Sequence, residues 1–82
     1  MNENLQKLIT LLSKVLDVAP DLIMDSTSPE NTETWDSYNA LVLVSELESE
    51  FDVSFSMDEI YEVKCVGDIK AALTRHGITL NE

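Results

Sequence analysis

One cysteine, two glycines and two prolines among 82 residues leave little with which to staple, loosen or break this chain. The lone Cys65 cannot form an internal disulfide, which excludes a stapled secreted scaffold. Cations are nearly as scarce, with five Lys and Arg against sixteen Asp and Glu, for a formal net charge of −11. No apolar run approaches the roughly 20 residues that cross a bilayer. The opening Met1-Asn2-Glu3-Asn4 lacks the basic segment of a signal peptide, so a cytoplasmic protein is expected. The length suits a single domain, residues 1–82, with a thin core. Little room remains for an enclosed catalytic centre, which favours binding, carrying or scaffolding over catalysis.

The placement of the charge says more than its total. From Asp17 to Glu62 there are thirteen acids and no Lys or Arg. Such a field repels nucleic acid and anionic membrane surfaces and steers basic partners. Solubility alone is the competing role for an acidic surface. Calcium does not explain the acids, because no Asp-x-Asp-x-Asp-Gly loop with a distal Glu occurs and the glycines are Gly67 and Gly77. No Cys/His cluster suggests zinc, and no metal site is expected.

Hydrophobic spacing predicts helices. Over residues 4–18, Leu5, Leu8, Ile9, Leu12, Val15 and Leu16 recur at intervals of three and four, with Pro20 as a stop. Residues 19–34 read as a long connector rich in Asp, Ser, Thr and Asn, pinned by Leu22, Ile23 and Met24; loops of this length are often functional. A second helix is predicted over residues 37–51, capped by Asp36, with Leu41, Val44, Leu47 and Phe51 inward and Val42 and Leu43 broadening the stripe. Residues 53–55 read as loop. Ser56-Met57-Asp58-Glu59 is a capping box opening a short helix that reaches Glu62. A last helix spans residues 66–76, with Ile69, Ala72 and Leu73 inward and Gly77 ending it. The fold class is therefore all-α, a small four-helix bundle of three main helices and one short one with a long first loop.

The stretch that bears on function is Trp35-Asp36-Ser37-Tyr38-Asn39-Ala40-Leu41. Asp36 caps a helix and Ser37 opens its first turn, beside amides that lack intrahelical partners and at the positive end of the helix dipole. An anion attached to Ser37 would be stabilised there. Locally, an Asp-Ser pair before an apolar stripe is equally a plain capping device.

With these residues in view, the chain resembles the acyl carrier protein family. The resemblance rests on Asp36-Ser37 followed by Leu41, Leu43, Val44, Leu47, Glu48, Glu50 and Phe51. It continues through Phe51-Asp52-Val53-Ser54-Phe55 and through Val66-Gly67-Asp68-Ile69 at the opening of the last helix. In that family an Asp-Ser-Leu motif starts the second helix of a four-helix bundle, and the serine receives 4′-phosphopantetheine from coenzyme A. The resemblance implies Ser37 as the attachment point, Asp36 as motif residue and helix cap, and a non-catalytic carrier of acyl or aminoacyl thioesters. It also implies a partner surface of Tyr38, Leu41, Glu46, Glu48, Glu50 and Phe55. The implied partners are a phosphopantetheinyl transferase and a loading ligase, ketosynthase or acyltransferase with basic patches. Nucleic-acid binding and stable membrane insertion are not implied, and a monomer is expected.

The chain departs from the family pattern at three places in that helix. Tyr38 replaces the usual Leu after the serine, Asn39 stands at an often acidic position, and Val42 stands where Glu is common. The Gly-Gly-x-Ser pattern of peptidyl carriers is missing. Together with Trp35, these residues resemble discrete carriers of specialised pathways rather than those of bulk fatty-acid synthesis. Trp35 itself reads as a packing residue and Tyr38 as an exposed contact for cargo or partner. Cys65 stands where the family often has a capping Ser or Thr and reads as a structural, half-buried thiol. His76 complements the dipole at the end of the last helix. Met1, Met24 and Met57 read as packing or terminal residues. The rival reading is an acidic helical adaptor that carries no arm, with an acidic calcium buffer as a distant third.

Overall fold

The computed structural model describes residues 3–80, which are all-helical: α1 (Glu3–Leu16), a 3₁₀ turn (Pro20–Leu22), α2 (Ser37–Phe51), α3 (Met57–Glu62) and α4 (Val66–Arg75). No strand occurs among the described residues. The Cα radius of gyration is 11.6 Å, close to the roughly 12 Å of a compact chain of this length.

Helix α1 packs along α2 and buries Leu8, Leu11, Leu12 and Leu16. Leu11 was missing from the predicted stripe, and it widens the face that α1 turns inward. The helix ends at Leu16 rather than at residue 18, because Asp17 adopts left-handed backbone with φ 55°. The Ser13 hydroxyl donates to the Val18 carbonyl over 2.7 Å and closes that end. Pro20 therefore does not stop α1. It occupies the first position of the 3₁₀ turn, where its fixed φ suits the geometry.

Of the connector's aliphatic cluster, Ile23 alone is buried. Leu22 and Met24, expected to help, are exposed, since three consecutive side chains cannot share one face of so short a turn. Its polar cluster folds onto itself. Thr27 Oγ1 accepts from the Met24 amide, Asn31 Oδ1 accepts from the Ser28 amide, and Asn31 Nδ2 donates to the Ser26 carbonyl, each at 2.9 Å. Thr27 and Ser28 are buried as a result. The folded loop then covers the start of α4: the Val66 amide donates to the Thr27 carbonyl and the Gly67 amide to the Asp25 carbonyl, both at 2.9 Å. Glycine suits this close approach, as a Cβ at Gly67 would lie 3.4 Å from the Asp25 oxygen. Lys70 Nζ adds an ion pair to Asp25 at 2.6 Å.

Helix α2 has the predicted bounds and the predicted cap. It buries Leu43, Leu47 and Phe51, a single row of i, i+4 neighbours. Leu41, expected inward, lies about 120° around the helix from Leu47 and is 69% exposed. Asp52, at φ 55°, ends the helix in left-handed backbone. Both halves of the capping box form at α3: Glu59 N donates to Ser56 Oγ and Ser56 N to Glu59 Oε1. Helix α4 buries Val66, Ile69, Ala72 and Leu73 and ends at Arg75, one residue before the predicted His76. Gly77, at φ 85°, turns the chain so that the Ile78 amide reaches the Leu73 carbonyl over 3.0 Å.

The core joins Leu8, Leu12 and Leu16 of α1 to Leu43 and Leu47 of α2 and Val66, Ile69 and Leu73 of α4, with Ile23, Trp35 and Leu80 from the connections. Each fully buried leucine of this set stabilises the fold by roughly 1.5–3 kcal/mol. Met24 and Met57, expected to pack, are exposed; Met1 lies outside the described residues.

Candidate functional site at the start of the second helix

Two flanking contacts fix the position of Ser37. Before it, Trp35 is buried, 4% exposed, and its amide donates to the Thr32 carbonyl over 3.0 Å. Directly before it, Asp36 holds extended backbone (φ −104°, ψ −174°) while its Oδ1 accepts from the Asn39 amide, on the far side of Ser37, at 2.9 Å. The Asn39 side chain reaches back to the Thr34 carbonyl over 2.6 Å, tying the first turn of α2 to the loop that leads into it. Ser37 is thus an exposed residue on a braced support.

The amides of Ser37 and Tyr38 find no acceptor among the described residues, as the geometry of a helix start dictates. The Asp36 carboxylate serves the Asn39 amide, and no base hydrogen-bonds the Ser37 hydroxyl among the described residues. This serine is therefore not activated by its own chain.

Around it the expected partner residues separate into groups. Tyr38 is 74% exposed, and it shares a face with the exposed Leu41 one turn on. Glu46 lies 3.6 Å from Lys14 of α1. Glu48 turns toward the loop after α2, where Oε2 accepts from the Phe55 amide at 2.8 Å. Glu50 is exposed. Beneath Leu41 lies an apolar cavity of about 80 Å³ between α2, α3 and α4, walled by Trp35, Leu43, Leu47, Phe55, Ile60 and Ala72 among others, with Glu59 at its border.

Three contacts escaped the sequence reading. The Asn39 brace could have been suspected from a polar side chain three residues after a capping Asp. The Glu48–Phe55 bond had no local signal. Nor did the contact of His76 Nε2 with Glu59, at 2.9 and 3.1 Å from the two carboxylate oxygens. The Ser56 amide, ahead of the His76 ring, holds the Glu59 carboxyl below its usual value. Cys65 is half-buried at the N-cap of α4 and makes no side-chain cap. No group of three or more His, Cys, Asp and Glu able to hold a metal ion occurs among the described residues.

A family model described as the phosphopantetheine attachment site matches residues 6–73, most of the chain and all of the region around Ser37. The chain belongs to this family. It is a non-catalytic carrier, and its cofactor is the covalently attached 4′-phosphopantetheine that defines the family. The carrier's fold agrees. A solved structure from Mycobacterium tuberculosis, described as an acyl carrier protein, superposes with a TM-score of 0.78 at 22% identity, covering 88% of this chain and 96% of that one. Comparison with curated proteins gives no match. The site fits the cofactor's attachment chemistry, since an exposed hydroxyl beside two open amides suits a phosphodiester.

Proposed function

We propose that Ser37 carries the 4′-phosphopantetheine arm and that the protein shuttles acyl or aminoacyl groups in a specialised lipid- or polyketide-type pathway. The observation that carries this reading is the exposed Ser37 hydroxyl at the first position of α2, braced on both sides and without a base of its own. A phosphopantetheinyl transferase would direct the hydroxyl onto the β-phosphate of coenzyme A. The new ester bond forms as the phosphoanhydride breaks, and 3′,5′-adenosine bisphosphate leaves. The arm supplies a thiol that holds cargo as a thioester. The apolar cavity beneath Leu41 favours an acyl over a charged aminoacyl cargo.

The rest of the surface supports brief contact with enzymes such as a loading ligase, ketosynthase or acyltransferase. Glu46 and Glu50 offer charge to basic patches, while Tyr38 and Leu41 offer an apolar contact near Ser37. Such surfaces give fast, salt-sensitive association, which suits a shuttle. The first turn of α2 carries no acid, so enzymes that require one beside the serine would bind this carrier poorly. That supports a dedicated pathway over bulk fatty-acid synthesis. The same reading takes residues 1–82 as one monomeric carrier unit acting in the cytoplasm.

The test is modification. Incubation with a promiscuous phosphopantetheinyl transferase and coenzyme A should add the mass of one arm, and Ser37→Ala should abolish the addition. A wild-type chain left unmodified while a control carrier is converted would overturn the reading and favour an adaptor without an arm.

A further inference from the structure

Helix α3 is attached to the body in an unusual way. Its six residues fall well short of the roughly 12–15 at which an isolated helix holds in water. The capping box that starts it is internal to the segment, and none of its residues is buried, although Ile60 is partly so. The helix therefore exists only while docked. Its polar anchor is the Glu59 carboxylate, which meets the C-terminal turn of α4. His76 Nε2 lies 2.9 Å away and Arg75 Nε 3.8 Å, while Arg75 Nη2 lies 3.9 Å from Glu62. The His76 ring also stands edge-on against Phe55, with centroids 5.2 Å apart and an interplanar angle of 89°. Phe55, Glu59 and Ile60 all wall the apolar cavity, and His76 does not. One imidazole thus holds two residues of the cavity wall from outside.

We propose that His76 and Glu59 form a clasp that keeps α3 closed over the apolar cavity, so that release of the clasp admits apolar groups. His76 is a positioning residue here, acting through Glu59 and Phe55. The clasp operates whether or not Ser37 bears an arm. Because α3 cannot persist undocked, release and local unfolding are one event, and backbone amide exchange reports it.

The test compares native-state hydrogen exchange in the full chain for wild type, His76→Ala, Glu59→Gln and the double variant. Glutamine keeps the reach to the Ser56 amide, so Glu59→Gln weakens the clasp while sparing the capping box. Exchange at the Ile60 and Val63 amides should rise about tenfold in His76→Ala, with α1 amides unchanged. The double variant should go no further. Uptake of the neutral fluorophore N-phenyl-1-naphthylamine should rise in the same variants. Unchanged α3 exchange or dye uptake, equal acceleration in all helices, or multiplying effects of the two substitutions would each overturn the clasp.

Discussion

Helices α2 and α4 both follow a residue held in extended backbone, Asp36 in one case and Cys65 in the other, yet their first turns are finished by different means. At α2 the cap is local: Asp36 satisfies the Asn39 amide and leaves those of Ser37 and Tyr38 open to solvent. At α4 the thiol caps nothing, and the carbonyls of Thr27 and Asp25 arrive from a distant part of the sequence to accept from Val66 and Gly67. The closed start belongs to the architecture. The open one is available to another molecule, and it is the one that carries Ser37. A helix start is thus left accessible by what the fold does not cover as much as by the residues placed there.

Proline at the first helical position separates the two starts most sharply. Val66→Pro removes a donor that the Thr27 carbonyl needs and disturbs a fully buried side chain. It should cost about 2–4 kcal/mol, read as a lower urea midpoint. Ser37→Pro removes a donor with no acceptor among the described residues and should leave the midpoint nearly unchanged; an equal loss would show that the α2 start is covered after all. Next in size, Asp36→Ala should cost about 1 kcal/mol by deleting the local cap.

The start of α3 adds a third case, governed by Glu59. Its carboxyl titrates below the ordinary range of a glutamate in the folded chain, first through the Ser56 amide and then through His76. The stability it contributes is therefore present above that ordinary range and lost as pH falls through the lower folded value. An acid unfolding curve should lose this component in Glu59→Gln and lose part of it in His76→Ala. Smallest of all, Cys65→Ser should change stability by no more than about 0.5 kcal/mol, because the amides such a cap would serve already have acceptors, Gly67 in the Asp25 carbonyl and Asp68 in the Cys65 carbonyl. A gain of a full kilocalorie would mean that the loop covers α4 less completely than its bond lengths indicate.

These contrasts also mark what could be read in advance. Asp36, the Ser56–Glu59 box and Gly77 announce helix ends through rules that act within four residues, and the structure places all of them as the sequence implied. Ser37 at the first position of α2 was legible for the same reason. Leu41 was misassigned because spacings of three and four define a broad face, and only the position of α1 and α4 decides which edge of that face is covered. Leu11 was overlooked for the converse reason. The loop over α4 and the Glu59–His76 contact join residues far apart in sequence, with no periodic or capping signal. Nothing short of the assembled bundle would reveal them.

Trp35, the single tryptophan of the chain, is buried beside Asp36 and forms part of the cavity wall. Its indole is placed to sense whether the space beside it holds water, a displaced helix or an apolar guest. Intrinsic emission, which shifts to the blue as an indole's surroundings dry, can therefore follow occupancy in the unlabelled protein, in real time and at any temperature where the bundle holds. The residue that steadies the serine from within also gives the carrier an optical gauge of its interior.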